Sequence, residues 1–153
     1  MNYDSSKETL LHIHNVIKKL NIVITELQKR QILHDESKLS DLEKDTFDKY
    51  TPMLKKLTYG SEEYNKALSG MKEGLKHHYE NNKHHPEYWN NGIHDMSLVD
   101  LLEMLCDWIA ATERHSDGDI FRSLEINQKR FGYSDELKNI LKNTIYHYFK
   151  VGD

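Results

Sequence analysis

The sequence predicts an all-α protein, a single-domain bundle of about six helices spanning residues 1–153. Three observations carry this. Only two prolines and seven glycines interrupt the 153 residues. The segments between them return apolar residues every three or four positions, the period of a helix. No segment makes a convincing strand, and no internal repeat is visible.

The first element is the longest. Leu10, Leu11, Ile13, Val16, Ile17, Leu20, Val23, Ile24 and Leu27 keep returning to one broad face, so Ser6 to about Ile32 reads as one helix. His12 and His14 lie two apart and point about 200° away from each other. His12 shares a face with Val16, Val23 and Leu27 and is expected to look inward, whereas His14 is expected at the surface. Ser40 opens a capping box, S-D-L-E, in which Glu43 should return a hydrogen bond to the helix start. The helix it begins should reach about Leu57, with Phe47, Tyr50, Met53 and Leu54 inside and Pro52 as a kink or break. Tyr59-Gly60-Ser61 is a turn, and a third helix is expected from Glu62 to about Asn81. On that helix His78 continues the apolar stripe and His77 is rotated off it. Residues 81–96 read as irregular. A fourth helix, Ser97 to about His115, is the most apolar and should be central. The run SDGD breaks the chain, a fifth helix follows from Ile120 to Phe131 with Gly132 as its cap, and a sixth runs from Ser134 to about Phe149.

Length and charge narrow the classes. A chain of this size can bury a core without disulfides or a structural metal. A formal charge of −4 with both signs interspersed argues against a nucleic-acid polymer as partner. A single cysteine, Cys106, excludes a disulfide framework or a Cys-rich zinc module. No apolar run has the length of a membrane span, and MNYDSSKE has no signal layout. A soluble cytoplasmic protein without a membrane partner is expected, and an apolar helix face beyond the needs of the core would allow a homodimer.

The chemistry concentrates in KHHYENNKHHPE, Lys76 to Glu87, with four histidines in twelve residues. Imidazole is the commonest metal ligand. Upstream stands His34-Asp35 in HDESK. Downstream, Asp107 sits in the middle of the apolar fourth helix, where a buried carboxylate needs a cation or donors. Plain alternatives exist for each: a packed core His12, a turn pair at His34-Asp35, loop histidines at His84-His85, a solvent-facing Asp107. Imidazoles with two acids suit Mn, Fe, Co, Ni or Zn, one ion or two, better than Mg or Ca.

The ordered set His12, His34-Asp35, His78, His84-His85 and Asp107 resembles the HD superfamily of metal-dependent phosphohydrolases. HDESK looks like the HDxxK variant of its HD-GYP branch, although the GYP tail is missing, which leaves cyclic-di-GMP unsupported as substrate. HxxNV at His12 to Val16, HDxSK at His34 to Lys38, HxxxNxHHPE at His78 to Glu87, CDW at Cys106 to Trp108 and NQKRF at Asn127 to Phe131 are similar to a family of small bacterial and phage-encoded proteins of unknown function. The superfamily resemblance implies that His12, His34, Asp35 and Asp107 form a first coordination shell, with His78 and His84 or His85 holding a second ion bridged by Asp35. It implies hydrolysis of a small phosphorylated metabolite, a nucleotide or deoxynucleotide, by a water activated on the metal. In that reading Asp35, Lys38, His84 and His85 are catalytic. Lys38, Arg114, His115, Lys129 and Arg130 would bind phosphate oxygens, or would form a solvated face. The alternative function is a non-catalytic module, phage-derived, that binds metal and nucleotide and regulates a partner pathway.

Overall fold

In the computed structural model the described residues are 3–58, 60–115 and 117–149, so Tyr59 and Ser116, members of two predicted turns, lie outside them. The chain is all-helical. Its helices are α1 (Ser6–Leu33), α2 (Asp41–Leu54), α3 (Glu62–Ser69), α4 (Lys72–Asn81), α5 (Leu98–Thr112), α6 (Ile120–Phe131) and α7 (Asp135–Tyr148), with short 3-10 turns at Glu36–Leu39, Pro86–Tyr88 and Gly92–Asp95. No helix is long and apolar enough to cross a membrane among the described residues. Residue contacts divide the chain into two units, 1–34 and 35–153.

The first unit is α1, an unbroken helix of 28 residues that contains no buried residue. This corrects one expectation directly. His12 is exposed, not inward-facing. It also lies on the same continuous helix that His34 terminates as C-cap. At 1.5 Å per residue their 22-residue separation is about 33 Å, so His12 and His34 cannot share an ion within one chain.

The second unit is built from α2 to α7. Serine and aspartate start several of its helices by accepting from the first orphan amides: Ser61 accepts from the Tyr64 amide, Ser134 from the Leu137 amide, and Asp119 from those of Phe121 and Arg122. Ser97 and Asp100 form a complete capping box at α5. Gly132, at φ +67°, ends α6 in the left-handed conformation that glycine adopts without strain. As expected, α5 is central. Its Met104, Leu105, Trp108 and Ile109 pack with Ile120, Leu124, Leu141 and Ile145, and the buried Tyr133 hydroxyl donates to the Leu124 carbonyl at 2.6 Å.

One departure and one close approach shape the site. The single helix expected from Glu62 to Asn81 is two, broken around Gly70. The ring of Tyr50 fills the place of a side chain there: a Cβ on Gly70 would stand 2.4 Å from the Tyr50 hydroxyl oxygen. At Gly74 a Cβ would meet Cβ and Cγ2 of Thr46 at 2.9 Å. Helices α2 and α4 therefore approach more closely than two side-chain-bearing helices could, which carries Glu43 of α2 under the last turn of α4. Gly74→Ala should lower unfolding stability by about 1–2 kcal/mol, because overpacking outweighs the roughly 1 kcal/mol that alanine gains in helix propensity. Denaturant unfolding of the two proteins measures this, and a stabilised variant would show that the approach is not close.

Candidate metal centre

Asp35, His78, His84 and His85 converge in the second unit, each offering one ligand atom within 4.8 Å of the others. Each arrives from a different local device. Asp35 has φ +58°, a left-handed conformation that aspartate tolerates better than most residues. It lies just before the Glu36–Leu39 turn, and its side chain pairs with Lys38 one turn on. His78 lies on the inner face of α4 and is 1 % exposed. His84 and His85 follow in the irregular connection, where Pro86 begins a 3-10 turn and fixes their direction. His84 is equally buried.

Two carboxylates decide which ring nitrogens face inward. Glu43 is fully buried, its Oε2 3.0 Å from His78 Nδ1 and its Oε1 2.6 Å from His77 Nδ1. The Asn82 side-chain amide already donates to Ser37 Oγ at 2.8 Å and to the His78 carbonyl at 2.7 Å. The proton between His78 and Glu43 is therefore assigned to Nδ1, which leaves Nε2 as a lone-pair acceptor. Glu103 Oε1 stands 3.3 Å from His84 Nδ1 and sets the same tautomer there.

The inward nitrogens of His78 and His84 are then acceptors facing a carboxylate. His78 Nε2 is 3.2 Å and His84 Nε2 3.5 Å from Asp35 Oδ1, and His78 Nε2 is 2.9 Å from His85 Nε2. Imidazole lone pairs directed at a carboxylate repel it unless a proton or a cation lies between them. Ligands about 2.1 Å from a metal are roughly 3.0 Å apart along an octahedral edge and 3.4 Å along a tetrahedral one, so the observed spacings fit a coordination shell. Burial, reinforced by neighbouring His84 and His78 and only partly offset by Asp107 and Asp35, lowers the His85 pKa to about 3. It is thus held in the neutral form that binds metal.

One side of the cluster is open. Asp35, His78 and His85 line a cavity of about 580 Å³ together with Lys38, Asp107, Arg114, His115, Asn127 and Arg130. Phe47, Leu54, Leu68, Met71 and Trp108 form apolar parts of its wall. Asp107 also places an oxygen within 4.8 Å of a His84 ring nitrogen. Arg130 pairs with Glu87 across the cavity wall.

Of the remaining expectations, Lys129 is exposed and lies outside the cavity lining. His34 closes the first unit, and His12 stays on exposed α1. Glu43 does not do what the capping motif implies: Ser40 makes no side-chain capping bond, and Glu43 turns to the histidines instead. The sequence held a sign of this, since Glu43 shares the 43, 47, 50, 54 face with Phe47, Tyr50 and Leu54. Glu103 had a similar sign, lying between Asp100 and Asp107 on one face of the most apolar helix.

A family model described as a family of unknown function (DUF5662) matches residues 1–147. No curated protein and no solved structure matches the chain.

Carboxylates that orient ligating histidines typically contribute 10–100-fold in metal affinity. Glu43→Gln should therefore weaken Co²⁺ or Zn²⁺ binding by roughly that factor in a competition titration, and unchanged affinity would remove Glu43 from the centre. Acid should also destabilise the metal-free protein through His85. Its folded-state pKa lies below its unfolded value of 6.5, so the unfolded chain binds the extra proton and stability falls as pH drops from about 6.5 toward 3. Melting temperature against pH should fall less steeply over that window in His85→Gln than in the parent. Parallel curves would refute the assignment.

Proposed function

The chain belongs to this family of unknown function, DUF5662, and we propose that it is a metal-dependent phosphohydrolase acting on a small phosphorylated metabolite, a nucleotide or deoxynucleotide. The observation that carries the reading is the buried cluster of Asp35, His78, His84 and His85 opening on one side into a cavity with cationic walls. A structural metal site is closed, whereas a catalytic one keeps an accessible position. The nucleotide part rests on the HD-superfamily resemblance, a weaker warrant than the site itself.

Asp35, His78, His84 and His85 would hold the metal, with Asp107 beside them. A divalent transition metal there supplies Lewis acidity toward a phosphoryl oxygen and lowers the pKa of water. The protein's own groups do the rest. Lys38, paired with Asp35 and 5.2 Å from the Phe47 ring centroid, offers a cation beside the ligands to a phosphate oxygen. Arg114 and His115, in the turn after α5, line the same cavity and suit the remaining phosphate charge. Arg130 is held by Glu87 and stacks on Phe131 at 4.7 Å, which fixes its direction. The apolar wall accepts the uncharged part of a substrate and excludes water from it.

The test couples metal content to turnover. Protein loaded with Mn²⁺, Co²⁺ or Ni²⁺ should retain one or two ions after gel filtration and release phosphate from members of a nucleotide panel. Asp35→Asn keeps a residue that tolerates the left-handed backbone but removes the charge. It should lose metal and at least roughly 100-fold in kcat/KM, about 2.7 kcal/mol of transition-state stabilisation. Metal and nucleotide binding without product would make the chain a non-catalytic binding module, and failure to retain any metal would defeat both readings.

A further inference from the structure

We propose that α1 is a dimerisation helix, pairing in parallel with α1 of a second copy of this chain. The helix contains no buried residue, yet its apolar side chains are organised. Leu10, Ile13, Ile17, Leu20, Ile24 and Leu27 follow one another at spacings of three and four, the a and d positions of a heptad repeat. Val16 and Val23 flank this seam. Lys18, Lys19, Glu26 and Lys29 fall at b, c or f positions away from it, Arg30 at the g position beyond Leu27 is paired with Glu26 of its own helix, and the e positions hold His14, Asn21 and Gln28. A copy laid along the seam therefore meets no charge on its apolar face and no like-charge pair at its edges.

The exposed area is of the right size for one more helix. Leu10, Ile13, Val16, Ile17, Leu20, Val23 and Ile24 are 41–67 % exposed. At on the order of 100 Å² per aliphatic side chain, half of each makes roughly 400 Å² of apolar surface per chain. Two such stripes, with the stems of the flanking polar residues, approach the roughly 1,000 Å² total that a specific interface requires. One stripe alone is comparable to the largest apolar patch that a monomer typically exposes, a patch that is often functional. The order of residues selects the arrangement: the two heptads from Ile17 to Leu27 place Ile at a and Leu at d, the combination that favours two parallel strands.

Sedimentation equilibrium of the full chain should give twice the chain mass at micromolar concentration. Ile17→Glu and Leu20→Glu should each weaken the dimer by roughly 100-fold or more, while Leu11→Glu, on an exposed residue off the seam, should leave it intact. Far-UV circular dichroism and retained metal separate loss of pairing from loss of fold. Orientation is read from Leu27→Cys combined with Cys106→Ser, which removes the single exposed native thiol. Leu27 lies far from the helix midpoint and meets its own counterpart only in a parallel pair, so rapid oxidation to a covalent dimer is expected. A monomeric parent protein would overturn the proposal, whether the stripe then binds lipid vesicles, another protein or nothing. A dimer that survives both seam substitutions would equally overturn it, and a dimer that does not form the Leu27→Cys disulfide would overturn the parallel arrangement.

Discussion

The second unit depends on a buried carboxylate shared between two histidines. Glu43, with no exposed surface, receives His77 on one oxygen and His78 on the other. Burying a carboxylate without partners costs several kcal/mol, so α2 and α4 are stable together only in the register that brings these imidazoles onto it. The absence of a side chain at Gly74 permits that register, since Thr46 already occupies the space. The same bond fixes His78 as the tautomer whose Nε2 faces Asp35. One interaction therefore packs two helices and orients an imidazole.

Helix α5 supplies the complementary device from the other side. Asp100, Glu103 and Asp107 recur along one face of the most apolar helix and meet three different needs. Asp100 closes the capping box with Ser97, Glu103 turns His84, and Asp107 faces the cavity. A carboxylate in an apolar helix is tolerated only where a donor or cation compensates it, as the amides of the cap do for Asp100 and an imidazole does for Glu103. The left-handed Asp35 adds a fourth acid from the opposite side. The result is a nitrogen-rich cluster backed by carboxylates and open to a cavity with cationic and aromatic walls, an arrangement suited to a borderline divalent ion.

The two units are stabilised differently. Residues 35–153 contain the buried core and every group of the cluster around His78. Helix α1 contains no buried residue, although its seam has the pattern of a surface that pairs. Most of the stability of a helix in water comes from packing of its apolar face. A helix with this composition is therefore more informative about association than about the chemistry of the site.

The sequence by itself determined the helical class, the start of α5, the ends of α1, α6 and α7, and the neighbourhood of Asp35, His78, His84 and His85. These follow from local rules: apolar periodicity, caps at Ser61, Ser97 and Ser134, glycine at the end of α6, and an unusual density of imidazoles. Only the tertiary structure decided the break at Gly70, where Tyr50 arrives from another helix, and the conversion of Glu43 from a capping residue into the partner of two histidines. It also decided against His12 as a companion of His34, because an unbroken helix holds them about 33 Å apart. Motif order carries no distance. Spacing along a chain predicts which residues share a face, but which faces meet depends on close approaches such as Gly74 against Thr46, made between residues far apart in sequence.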